Sequence, residues 1–257
     1  MSKVQPTKKV LLTAGAALFW LLVWQALSLK INNRILLVSP VTVLGRLFEL
    51  LQTAGFWRAV AFTVGRILLG FLSACTAAVL LAAVSAKSAA LRGLLRPLLG
   101  TVQATPVASF VILALLWFSS RNLSVLISFL MVFPIVYANC LQGILSVDRG
   151  LLEMARVFRI GPLRRLLYIY LPDVLPYLLS ALSVSLGLCW KSGVAAEVIG
   201  IPVGSIGELL YQAKVHLDTA DLLAVTLVII LVSLSFEKLF LWLAYRLQRR
   251  LEGTVRV

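Results

Sequence analysis

Six stretches of this chain are too apolar to sit in water: residues 10–28, 60–85, 102–118, 123–145, 174–196 and 222–243. A helix needs about 20 such residues to cross roughly 30 Å of hydrocarbon, because only there are all its backbone hydrogen bonds satisfied within the segment. The third stretch is interrupted by Pro106 and lies near the lower length limit. With 257 residues, 61% of them hydrophobic and 13% charged, the chain is excluded from the soluble globular class. The pattern predicts an all-α, multi-pass membrane protein of about six transmembrane helices. A single domain covers 1–257: a tail and first span over 1–36, a core over 37–243 and a basic tail over 244–257.

Short loops rich in Lys and Arg stay on the cytoplasmic side. With six spans, Lys3, Lys8, Lys9, Lys87, Arg92, Arg96, Arg149, Arg156, Arg159, Arg164, Arg165, Arg246, Arg249, Arg250 and Arg256 fall on one side. Lys30, Arg34, Arg46, Arg58, Arg121 and Lys214 fall on the other. Both termini are therefore expected inside. The net charge of +14 follows from this bias and suits anionic lipid headgroups rather than nucleic acid. Residues 1–30 resemble a signal peptide, but their apolar core is longer and no small-x-small cleavage site follows, so they read as an uncleaved first span. Cys75, Cys140 and Cys189 all lie inside spans, which leaves neither a disulfide framework nor a metal-ligand spacing.

Motifs that would carry chemistry are missing from the sequence. It has no G-x-x-x-x-G-K-[ST] phosphate loop and no H-E-x-x-H, and its single histidine, His216, falls in a loop where solvation is the plain reading. No nucleophile, base and oxyanion site can be assembled, so no catalytic residue and no metal ligand is assigned. Uphill movement of a solute would draw its energy from an ion gradient or from another subunit.

One loop is unlike the rest. Residues 151–172, LLEMARVFRIGPLRRLLYIYLP, place one acid, four arginines and a Gly-Pro corner between two spans. Asp148 is positioned to cap a short helix whose Leu151, Ala155 and Phe158 share a face, while Arg156 and Arg159 share another with Leu152. Gly161 and Pro162 break that helix. A second amphipathic helix is expected over 163–170, closed by Leu171-Pro172. On chemistry alone the pair fits either an interfacial element with its arginines on lipid phosphates or a docking element for a soluble partner.

Glu153-x-Ala155-Arg156, followed by Tyr168-Ile169-Tyr170-Leu171-Pro172, resembles the EAA loop of the permease subunits of bacterial ABC importers. Val38-Ser39-Pro40, Thr63-Val64-Gly65-Arg66, Gly70-Phe71, Thr105-Pro106, Phe133-Pro134, Asn139 and Ala195-Ala196-Glu197 are similar to the nitrate/sulfonate/taurine type of that family. The resemblance implies a six-helix, MetI-like type I permease in the bacterial inner (plasma) membrane, paired with a second, usually identical, copy as a homodimer. It also implies two cytoplasmic ATPases that bind the ATP and Mg, and an extracytoplasmic solute-binding protein. Loop 148–172 would then be the coupling element, carried by Glu153, Met154, Ala155, Arg156, Phe158, Arg159, Gly161 and Pro162. This chain has Met154 where the family most often has Ala. It has Arg159 where the family usually has Gly, with its own glycine at Gly161, so the corner is expected two residues further on.

Inside the membrane the charges of interest are Lys191 and Glu197 in the fifth span and Arg66 in the second, grouped as translocation-path or gate residues. At 100° per residue, Lys191 and Glu197 do not share a helix face. Lys191 reads equally as an attractor on an anion path and as a lysine paired to a carbonyl or a neighbouring helix. Glu197 reads as a structural pairing towards the outer end that gates the cavity, with substrate contact as the alternative, and Arg66 as a snorkelling arginine. Gly187, Gly193 and Gly200 predict close backbone approach around the fifth span. Beyond it, Pro202, Gly204 and Gly207 predict a structured turn leading to a short amphipathic helix over 206–215.

The reading is an ABC-importer permease passing a small anionic or zwitterionic solute of the sulfonate, nitrate or taurine kind. Uptake of a vitamin precursor, of thiamine pyrimidine or riboflavin type, is the alternative within the family. Outside it, a self-contained secondary transporter would show paired carboxylates or inverted repeats.

Overall fold

The computed structural model describes residues 6–33 and 35–255, with side chains omitted for 6–14, 247 and 249–255. Of the basic residues used to orient the chain, Lys3, Arg34 and Arg256 lie outside the described residues, as do the side chains of Lys8, Lys9, Arg249 and Arg250. The described chain is helical throughout. In order come α1 (Pro6–Ile31), α2 (Pro40–Leu51), α3 (Ala54–Lys87), α4 (Ala89–Ala104), α5 (Val107–Ala114) and α6 (Ser120–Leu145). After these come α7 (Arg149–Val157), α8 (Pro162–Arg165), a π turn (Leu166–Tyr170), α9 (Leu171–Gly200), α10 (Ile206–Val215) and α11 (Thr219–Val255).

Four segments are long and apolar enough to cross a membrane: α3, α6, the continuous run Pro162–Gly200, and α11 over Thr219–Arg246. The expected count of about six is met only approximately. The expected third span is not one helix: α4 and α5 meet at 102°, a bent pair that brings the count to five where it is taken as one span. Pro106 has no N–H to give to Val102, and it drives Thr105 out of helical geometry to φ −77°, ψ 128°. The described apolar part of α1, Gly15–Ile31, is a shorter helix.

Small side chains let α3, α6 and α9 pack closely. A Cβ on Gly70 would lie 2.5 Å from the Val125 carbonyl oxygen, and one on Gly193 would lie 2.7 Å from both Ile67 Cγ1 and Ser128 Oγ. Paired contacts fix direction: Arg66 against Arg121 with Gly70 against Val125 sets α3 and α6 parallel, and Gly143 against Val174 with Gly200 against Leu123 sets α6 and α9 antiparallel. Gly193 and Gly200 thus make the close approach expected of them, but within this chain, whereas a Cβ on Gly187 would meet open space. The main core lies between these helices around Ile67, Phe71, Val132, Val136, Leu186 and Trp190, and α11 adds Phe236 and Phe240 through edge and stacked ring contacts. At the α10 end, α2 is started by Ser39 and Pro40 and is tied to the start of α11, where Arg46 bridges to Asp221 as well as to Glu49. These carboxylates, Asp221 foremost, hold the Arg46 guanidinium more firmly protonated than usual.

Candidate functional site

At one end of the bundle, residues 148–172 form a helical corner packed on the start of the longest span. Asp148 Oδ1 accepts from the Gly150 amide at 2.8 Å and starts α7, as the sequence suggests. Ala155 is fully buried against Val147 and Ile169, with Leu152, Ile160 and Tyr170 packed around them. This small buried face seats α7 on the π turn. Its other side is open: Val157 is 78% and Phe158 73% exposed, Leu151 and Met154 are exposed as well, and Glu153, Arg156 and Arg159 stand out beside them. Leu151 and Phe158 therefore do not share the burial of Ala155.

The corner is not displaced. Arg159 adopts the left-handed conformation at φ 51°, while Gly161 is extended at φ −61°, ψ 157°, and a Cβ there would meet nothing. The Ile160 amide donates to the Ala155 carbonyl at 2.9 Å and the Arg159 amide to that of Arg156 at 3.0 Å. That pair of bonds closes a Schellman motif with Arg159 at the position glycine favours. The motif is set by the unpaired carbonyls at the end of α7, which accept these bonds whatever side chain the residue carries.

The second helix also differs from expectation. It is not closed at Leu171-Pro172 but runs on without a break to Gly200. Pro172 and Pro176 each lack the amide that a helix would use. The strain is taken up in the π turn, where the Leu171 amide donates to the Leu166 carbonyl, one residue further back than in an α-helix. The second helix of the loop and the span are one rod, with α7 set off from it by the corner.

Further along that rod, Lys191 and Glu197 part company as their spacing requires. Lys191 is exposed on the open face of α9 with Val184 and Leu188, and it has no hydrogen bond or ion pair among the described residues. A lysine on a membrane-facing surface is costly unless water or another protein covers it. Glu197 is fully buried. Its Oε2 accepts from Thr63 Oγ1 of α3 at 2.7 Å and from the Gly207 amide of α10 at 3.4 Å, and Thr63 Oγ1 in turn accepts from the Ile206 amide at 3.0 Å. Ser124 of α6, buried without a hydrogen-bond partner, lies beside the same carboxyl. Arg66 is fastened rather than free: Nη1 donates to the Arg121 carbonyl and to Asn122 Oδ1, both at 2.5 Å, and the guanidinium lies over Phe62.

The sequence alone missed Thr63 as the partner of Glu197. Nothing local signals a contact across 134 positions. The helix expected over 206–215 is α10 itself, started by Ser205 accepting from the Glu208 amide.

Membrane-crossing helices with a capped, apolar and basic loop at one end have the build of a transport permease. The chain belongs to the family of binding-protein-dependent transport system inner membrane components, whose pattern matches residues 67–253. It is 28% identical, over 90% of its length and 86% of the relative's, to the taurine transport system permease protein of Escherichia coli. A putative aliphatic sulfonates transport permease protein of the same organism is 30% identical over 87% of this chain and 86% of its own. The bicarbonate transport system permease protein of Synechococcus elongatus is 23% identical over 91% and 88%. This is an ABC transporter permease, a non-catalytic membrane subunit of the nitrate/sulfonate/taurine type.

Proposed function

We propose that this chain forms half of the translocation path of an ATP-driven importer for a small anionic or zwitterionic solute of the taurine, sulfonate or bicarbonate kind. The observation that carries the reading is the α7 lever: an exposed Val157–Phe158 knob flanked by Glu153, Met154, Arg156 and Arg159, on a short helix seated through Ala155 against the π turn that leads into α9. Such a surface is costly in water and suits a groove on a soluble partner. Two copies of a cytoplasmic ATPase, holding the ATP and Mg, dock there. That places the α7 end in the cytoplasm with both termini, and the α10 end outside, facing the binding protein.

A second copy of this chain completes the path and covers the open face of α9. Lys191 then lies on the path, about 14 Å below the outer end of α9 at 1.5 Å per residue, as the cation that favours an anion there. Gly161 and Pro162 serve the corner as an extended entry to α8, while Arg66 and Glu197 brace the outer end.

The test is purification of the chain from its native membrane and calorimetry on the binding protein that accompanies it. A stoichiometric ATPase and a binding protein that takes taurine, a sulfonate, nitrate or bicarbonate support the proposal. A binding protein selective for riboflavin or a thiamine precursor moves the substrate to the vitamin class, and the absence of any ATPase refutes the importer.

A further inference from the structure

The fully buried carboxylate of Glu197 sits where three elements meet. Along the chain it belongs to α9, but both its acceptor contacts are to other elements, the Thr63 hydroxyl of α3 and the Gly207 amide of α10. Thr63 repeats the pattern, donating to Glu197 and accepting from the Ile206 amide. The first two amides of α10, which no helix can satisfy internally, are thus held by side chains of α3 and α9. The backbone of α10 presses on the same residue: a Cβ on Gly207 would lie 2.3 Å from Glu197 Cβ and 2.4 Å from its carbonyl carbon. Glu197 is the one acidic or basic side chain fully buried among the described residues, and no arginine or lysine there forms a salt bridge with it. A carboxylate so placed is held by hydroxyl and amide donors alone.

At the other end of α9 the π turn carries the α7 lever, seated by Ala155 against Ile169. From Pro162 to Gly200 the helix is unbroken over 39 residues, a rod of roughly 58 Å at 1.5 Å per residue. We infer that Glu197, with Thr63, is a clip that fastens the α10 hairpin to the outer end of this rod, so that movement of the α7 lever carries the hairpin with it and opens or shuts the outer mouth of the path. The inference rests on the importer reading, since it needs a partner that drives α7. Glu197 and Thr63 act as positioning residues, and neither is assigned to the solute.

Hydrogen exchange on the intact complex of permease and ATPase in lipid nanodiscs, with and without ATP and vanadate, tests the clip. In the unaltered complex, exchange is expected to respond to nucleotide both over 149–165 and over 203–215. Glu197→Ala and Thr63→Val each remove a partner of the α10 amides. Each should raise exchange over 203–215 about ten-fold and abolish the nucleotide response there, while the response over 149–165 persists. Glu197→Gln keeps an acceptor for Thr63 and Gly207 and can donate to Ser124, so it should behave as the unaltered protein does. A hairpin response that persists in both Glu197→Ala and Thr63→Val overturns the clip, and if Glu197→Ala fails to assemble, Thr63→Val decides alone. No nucleotide response over 149–165 in the unaltered complex overturns the importer reading and the clip with it.

Discussion

At the scale of single residues, Arg159 holds a conformation that costs an L-residue roughly 1 kcal/mol relative to glycine. Arg159→Gly should therefore slow exchange of the Ile160 amide, which closes the α7 cap, by roughly five-fold, and an unchanged rate would show that the turn is not strained. Gly161→Ala, at φ −61° with open space around it, should leave thermal stability within about 0.5 kcal/mol. Gly207→Ala should do the opposite. The added methyl has backbone atoms in its way, and a loss of about 1–3 kcal/mol is expected in a denaturation series. Sequence reasoning found which residues form this corner but put its left-handed turn at the wrong one. A glycine announces conformational freedom, whereas the hydrogen bonds that impose the turn are fixed by where α7 stops.

Among the elements, the longest spans and α10 were legible because hydrophobic runs and a Pro-Gly turn are local signals, and α10 falls on the residues expected of it. The bend between α4 and α5 and the continuity of α8 with α9 were not. Both turn on how the chain absorbs proline, by a 102° bend at Pro106 and by a π turn before Pro172, and the sequence does not say which of the two a given proline will do. The lever's function belongs to this scale as well. Phe158→Asp puts a charge on a side chain that is 73% exposed, so it should leave the melting temperature of the isolated permease unchanged while abolishing ATPase co-purification. Glu153→Arg should weaken that association in the same way. A permease that keeps its full complement of ATPase after both changes would mean that α7 rests on lipid and not on a partner.

For the whole molecule, the account is of a bundle with a lever at one end, a clipped hairpin at the other and an open α9 face between them that carries Lys191. Lys191→Met should lower uptake of an anionic solute at least ten-fold while the complex assembles normally, since a methionine fills similar space without charge. Uptake with unaltered kinetics would remove Lys191 from the path. The importer claim as a whole is tested most directly in liposomes, by measuring uptake of taurine, an alkanesulfonate and bicarbonate with this chain alone and then with its ATPase, its binding protein and internal ATP. The account predicts accumulation of one of them only in the complete system, and accumulation driven by this chain alone would contradict it.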